Sequence, residues 1–275
     1  MISVNLIKIA LVTTMLFSIA DTAISQSDIA PGARSFALGE TGLGFQDIHA
    51  AYTNPAGLYG LKVFSVQASA SQPFGIKELS NIQIALASVL PKSDFLYGTI
   101  SSKGSSGFRQ SRVSLGYGRK LAGNLSIAVE IETLMMYIRR YGSAFAFGYS
   151  ISFQHKPSEM LVIGAYISNP VPVSHDRPVI PKSTLSLGLS YFISELVTIN
   201  IEAFKDTRFK LRVKSGIEYI VHPAFTLRIG ATTNPAQLHF GIGWLVNEHT
   251  SIDFSIGYHT LLGITPVVGI AYSGF

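Results

Sequence analysis

The chain has 275 residues, no cysteine and a formal net charge of +5, with only 13% of its residues charged. Soluble domains carry about 25% charge, so this is a poor match to an ordinary soluble domain, and the missing cysteines exclude a disulfide scaffold. The lysines and arginines are scattered rather than clustered, which argues against nucleic acid as a partner, and no apolar run beyond the N-terminus is long enough for a membrane-spanning helix.

In chain order, the first stretch is MISVNLIKIALVTTMLFSIADTAIS. Lys8 precedes an apolar run from Ile9 to Ala20, and Ala23-Ile24-Ser25 forms a small-x-small cleavage pattern. This predicts a secretory signal peptide over 1–25, cleaved before Gln26, and so an exported protein. Residues 26–60 show no strand periodicity. Their Gly39, Gly42 and Gly44 lack the preceding strand and following Lys-Ser/Thr of a phosphate-binding loop, which leaves close packing as their expected role. Asn54-Pro55-Ala56-Gly57 reads as a turn in which proline fixes φ and asparagine bonds its own backbone.

From residue 61 to 275 apolar and polar residues alternate, the period of a strand with one apolar face. In RFKLRVKSGIEYIV, Phe209, Leu211, Val213, Ile217, Tyr219 and Val221 share one face and Lys210, Arg212, Lys214 and Glu218 the other. Fourteen such strands are predicted, the first at 62–73, the third at 94–102, the tenth at 208–221 and the last at 265–275. An even count suits a bacterial outer-membrane barrel, and the connections alternate between tight turns and longer pieces, as such barrels require. The polar face carries many charges mixed with glycines, as a wet or plugged lumen would. Tyr117, Tyr137, Tyr141, Phe153, Tyr191, Tyr219, Trp244 and Tyr258 sit near strand ends on the apolar face, like the aromatic girdles of membrane interfaces. The expected fold is therefore an all-β, transmembrane antiparallel barrel in the outer membrane, apolar face outward.

Gly32-Ala33-Arg34, the Gly39/Gly42/Gly44 stretch, Asp47 and Asn54-Pro55-Ala56 together resemble the opening of FadL-like outer-membrane barrels, particularly the PorV/PorQ-type branch. The later pieces KSGIEYIV, LRIGATTNP, FGIGW and GYHTLLGITP are similar to that branch as well. The resemblance implies that residues 26–60 are tucked into the lumen as a plug and that Asn54, Pro55, Ala56 and Gly57 line a ligand path. The chain departs from the pattern at Ser273, where the usual terminal signature has a large apolar residue two before the final phenylalanine. This leaves the orientation of Phe275 open. Its outer loops are also short for a fatty-acid transporter.

Among inward positions, Glu130 and Glu132 neighbour the strand of Arg112, and Glu202 and Glu218 neighbour Lys210, Arg212, Lys214 and Arg228. Paired carboxylates can perform acid–base work, but opposite charges on adjacent strands more often form a cross-strand ladder. The expected arrangement is a lumenal salt-bridge network, with an unmatched positive excess on the tenth and eleventh strands open to an anionic head group or a partner's carboxylates. His239, Asp253 and His259 share the lumen face, yet no serine is singled out as a nucleophile and no metal-ligand spacing is defined. No catalytic residue, metal or cofactor is expected. Gly98 interrupts the third strand, where a glycine marks a bulge or close approach; the resemblance to FadL-like transporters implies a lateral opening beside it, and ordinary sequence variation is the alternative. Two functions remain open. One is passive translocation of a hydrophobic small molecule; the other is a PorV/PorQ-like accessory barrel that binds secretion or surface-assembly proteins. Outer-membrane lipid is a partner in both.

Overall fold

The computed structural model describes residues 32–121, 124–169, 183–207 and 209–274. The expected signal peptide (1–25), residues 26–31 of the expected plug, most of the connection after residue 168 and Phe275 lie outside these.

The described residues form fourteen strands, in the order β1 Ser65–Ser71, β2 Asn81–Leu90, β3 Asp94–Gly104, β4 Phe108–Lys120, β5 Leu125–Ile138, β6 Gly142–Ser158 and β7 Leu161–Ser168. They continue as β8 Thr184–Phe192, β9 Val197–Asp206, β10 Arg212–His222, β11 Phe225–Thr232, β12 Gln237–Asn247, β13 Thr250–His259 and β14 Gly263–Ser273. Each strand pairs antiparallel with its neighbours in sequence, and β1 pairs with β14 from Ser65↔Ser273 to Ser71↔Val267, closing the barrel. Closure matters because an unpaired backbone amide in hydrocarbon costs several kcal/mol.

All fourteen expected strands are present. β1 is shorter than its alternation suggests, because Pro73 starts a tight turn that holds Phe74 at φ 58°. β10 begins at Arg212 rather than at 208.

The apolar face is the outer one. Ile82, Ile84 and Leu86 of β2, Leu115 of β4, Ile131 of β5 and Phe147 of β6 are exposed, as are all eight girdle aromatics. Tyr141 lies in the β5–β6 turn rather than in a strand.

The inward face meets the N-terminal segment. Residues 32–61 form a short helix, α1 (Ala33–Ala37), and two 3-10 turns, Ile48–Tyr52 and Pro55–Gly60. Leu38, Phe45, Ile48, Ala56 and Leu58 form an apolar cluster with Ala85, Ala87, Phe95, Tyr97, Ala128 and Ala271 of the wall. On the opposite wall the contact is made by glycine. A Cβ at Gly230 would lie 2.0 Å from the Gly39 nitrogen, at Gly241 2.4 Å from Ala37 Cβ and at Gly257 2.6 Å from the Phe36 ring. Gly216 meets the Leu38 carbonyl and Gly164 the Leu43 carbonyl in the same way. Inward glycines on five strands thus let the segment lie directly against wall backbone, a close approach that any side chain would block.

Gly230→Val is expected to push residues 36–40 off the wall while the barrel stays closed, since overpacking costs about 1–3 kcal/mol. Heat-modifiable migration on gels should be unchanged and limited proteolysis of the N-terminal segment faster. Wild-type protease resistance would show that the wall can give way.

Candidate functional site

Charged side chains of the inner segment find their partners on β9–β13. The Arg34 guanidinium donates to both carboxylate oxygens of Glu218, Nε to Oε2 at 3.0 Å and Nη2 to Oε1 at 2.8 Å. Its Nη1 donates to Asp47 Oδ2 at 2.5 Å. Glu218 also accepts from Arg228 Nε at 2.6 Å, and Arg228 Nη1 donates to Asp253 Oδ1 at 2.6 Å. The result is a chain of alternating charge, Asp47–Arg34–Glu218–Arg228–Asp253, with a two-pronged Arg34–Glu218 contact of the kind that fixes geometry. His49 Nε2 stands 3.8 Å from Asp253. Burial, against the pull of Asp47 and Asp253, holds the His49 ring below its usual range, so it is uncharged at neutral pH.

A second cluster lies beside it. Arg212 Nη1 donates to Glu40 Oε2 at 3.0 Å, and Lys214 Nζ donates to the Glu40 carbonyl at 2.9 Å. Burial alone would raise the Glu40 carboxyl, but Arg212 and Lys214 outweigh it and hold it below the ordinary carboxylate range. The positive excess expected on β10 and β11 is therefore matched: Glu40 takes Arg212 and Lys214, while Glu218 and Asp253 take Arg228. Lys210 precedes β10 and is exposed.

Glu202 also departs from expectation. It lies opposite Lys214 in the register, yet its Oε1 accepts from the backbone N–H groups of Gly42 and Leu43 at 2.5 and 2.6 Å. The carboxylate binds the turn of the inner segment. The cross-strand ladder is realised at Glu218↔Arg228, and Arg112 Nη1 lies 3.1 Å from Glu132 on the next strand. Glu130 accepts from Ser114 at 3.0 Å.

Asn54, Pro55, Ala56 and Gly57 pin the far end of the segment. The Asn54 amide donates to the carbonyls of Leu43 at 2.8 Å and Phe153 at 3.0 Å, cross-linking chain to wall instead of bonding its own turn. The Ala56 N–H donates to Ser152 Oγ at 3.0 Å, and its carbonyl accepts from Ser126 Oγ at 2.8 Å. Gly57 sits where a Cβ would lie 1.9 Å from the Phe45 carbonyl. Gln154 completes the clamp by donating to the carbonyls of Leu43 and Phe45, both at 2.9 Å.

The wall at Gly98 is unbroken. β3 pairs residue for residue with β2 from Asn81↔Lys103 to Leu90↔Asp94, and with β4 from Asp94↔Arg119 to Gly104↔Arg109. Gly98 faces outward, and the space above it is covered by the Leu115 side chain, so the expected opening beside it is not there. The irregular alternation of β3 has another cause. Phe95 and Tyr97 point inward, and Gly116 and Gly118 on β4 make room for their rings, which would otherwise lie 2.2 and 2.1 Å from a Cβ.

His239, Asp253 and His259 each meet a different partner. His239 packs edge-on against Phe36 at 4.6 Å, Asp253 is held by Arg228, and His259 Nδ1 accepts from the Leu261 N–H at 3.1 Å. Between the segment and β3–β7, Ala51, Tyr52, Pro55, Thr99, Arg112, Glu130 and Tyr166 line a lumenal cavity of ≈ 20 Å³. That is room for about one water molecule.

Three solved structures have the same architecture. The toluene transporter TodX of Pseudomonas putida superposes with a TM-score of 0.67 at 13% identity, over 88% of this chain and 98% of that one. The toluene transporter TbuX of Ralstonia pickettii gives 0.64 at 14%, over 88% and 97%. A FadL homologue of Pseudomonas aeruginosa gives 0.63 at 10%, over 88% and 98%. This chain shares their fold. No family model and no curated protein matches its sequence.

The partners that sequence reasoning missed are Arg34, Glu40, Asp47, Asn54 as a cross-link, and Gln154. A signal was available, because Arg34 and Glu40 of the segment stand against inward charges of opposite sign, Glu218 and the Arg212–Lys214 pair. Arg34→Met leaves Asp47 without its guanidinium and Glu218 with Arg228 alone, an expected loss of about 3–5 kcal/mol from the segment's docking. Hydrogen exchange at the Phe36 and Leu38 amides should accelerate, whereas Arg34→Met combined with Glu218→Met should cost less than the sum of the two single changes. Strict additivity would show that the two side chains are not coupled.

Proposed function

We propose that this chain is a non-enzymatic outer-membrane barrel that binds a hydrophobic small molecule and passes it through a lumen plugged by its own N-terminal segment. The observation that carries this reading is the end-to-end fold match to toluene transporters and a FadL homologue. The lumen adds a physical reason. Leu38, Phe45, Ile48 and Leu58 rest on an apolar patch of wall formed by Ala85, Ala87, Phe95 and Ala128. Apolar surface of that kind, once uncovered, would favour a hydrophobic solute over water. Because residues 38–58 cover that patch, passage along this side of the lumen requires residues 32–61 to shift. The ion chain from Asp47 to Asp253 acts as the latch.

A second reading, an accessory barrel of the PorV/PorQ type that binds exported proteins, is favoured by the packing of residues 32–61 against the inner wall and by short connections such as 105–107, 139–141 and 260–262. Uptake of labelled toluene and oleate by Gram-negative cells lacking their own hydrophobic-solute channels separates the two. On the channel reading, the wild-type chain raises uptake above the empty vector and Arg34→Met raises it further. Background uptake from both forms, together with a protein partner that co-purifies from the outer membrane, would overturn it.

A further inference from the structure

The two rims of the barrel treat charge differently. At the end carrying Ser65 and Ser273, two basic groups have carboxylate partners: Arg119 Nε lies 2.6 Å from Asp94, and Lys156 bridges to Glu159. At the opposite end, the upper halves of β3–β6 contain no acidic residue at all between 99 and 113 or between 133 and 147. Arg109, Arg139 and Arg140 are exposed there, and none has an ion-pair partner among the described residues.

The register gathers these arginines. Arg109 lies directly opposite Tyr137, and the Arg139 N–H donates to the Gly107 carbonyl at 2.9 Å, tying the β5–β6 tip to the β3–β4 tip. Arg140 adopts φ 72° in this turn, a conformation in which glycine or asparagine would be less strained. Tyr137 and Tyr141 flank the cluster, and rings of this kind sit at headgroup depth.

Directly below, on the outer faces of the same strands, Val113, Leu115, Ile131, Thr133 and Phe147 line a groove of ≈ 410 Å³. Val113, Thr133 and Phe147 are cross-strand neighbours, and the small Thr133 opens the groove between larger side chains. Val113 is four residues along β4 from Arg109, about 14 Å at strand spacing. An apolar groove beneath a cationic, aromatic-flanked rim has the shape of one amphiphile: acyl chain below, phosphate above. Guanidinium groups bind phosphate through paired N–H donors.

We propose that the outer wall of β4–β6 is a binding site for a phosphorylated lipid of the outer leaflet, with its phosphates on Arg109, Arg139 and Arg140 and an acyl chain in the Val113–Thr133–Phe147 groove. The site depends only on the barrel and its orientation, with the termini on the periplasmic side as in bacterial outer-membrane barrels. It holds whether or not the lumen conducts.

The test is native mass spectrometry of the folded, detergent-solubilised barrel titrated with bisphosphorylated lipid A, with its dephosphorylated form, and with inorganic phosphate as competitor. The R109Q/R139Q/R140Q variant should bind bisphosphorylated lipid A about tenfold or more weakly, and Thr133→Phe, which fills the groove, should weaken both lipid forms. A K92Q/K120Q variant at the other rim should bind as wild type. All variants should keep heat-modifiable migration, because the changed residues are at the surface. Equal binding of the phosphorylated and dephosphorylated lipids would overturn the proposal, as would undiminished binding by the triple variant. Full competition by inorganic phosphate would reduce the site to a free-anion site and overturn it as well.

Discussion

A peptide group facing hydrocarbon has no water to bond, so every strand of this wall must find a neighbour on both sides. That requirement makes the sheet close, and closure through the β1–β14 pairing creates an interior which must then be filled or wetted. Among the described residues, 32–61 pack into it. The outer face can be generically apolar, but the inner face must match one particular segment. Small residues stand where the segment's backbone passes, carboxylates where its N–H groups and arginine point, and cations where Glu40 lies. The interior is a second folding problem, posed by the solution to the first.

The glycines and the charges divide this second task. Inward glycines on β10–β13 bring segment and wall within van der Waals contact at backbone level, and at that distance charged side chains can reach across the lumen without long, entropically costly extension. A buried ion pair is a weak source of stability compared with apolar packing, but it is intolerant of a missing partner. The Arg34–Glu218–Arg228–Asp253 chain therefore specifies where the segment sits more than how tightly it sits. Tightness comes from the apolar patch on the opposite wall.

The strands were legible in the sequence because alternation is a local property: Val213, Ile217 and Tyr219 announce their shared face without knowledge of anything distant. The direction of that face was legible too, from charge and glycine on the other parity. Pairing partners were not. Arg34 and Glu218 are separated by 184 positions, and nothing local to either says that closure will bring them together. The same separation lies behind the expectation of unmatched positive charge on β10 and β11, since Glu40 stands in a stretch without strand periodicity, far from Arg212 and Lys214 in the chain. It also produced the expected gap at Gly98: a glycine in a strand signals reduced bulk, but only the neighbour decides whether that leaves a hole, and here Leu115 fills it. Phe95 and Tyr97 show the converse case, with Gly116 and Gly118 one strand away making the room.

The inner segment runs into the wall with almost no slack. Its second 3-10 turn ends at Gly60, β1 begins at Ser65, and the Gly274 N–H donates to the Phe64 carbonyl at 3.1 Å beside the closing seam. One end of the segment is thus covalently moored to the mouth where β1 starts and β14 finishes. Any withdrawal must pivot about residues 61–64 and swing out through that mouth, so its motion is that of a hinged door opening toward a single compartment.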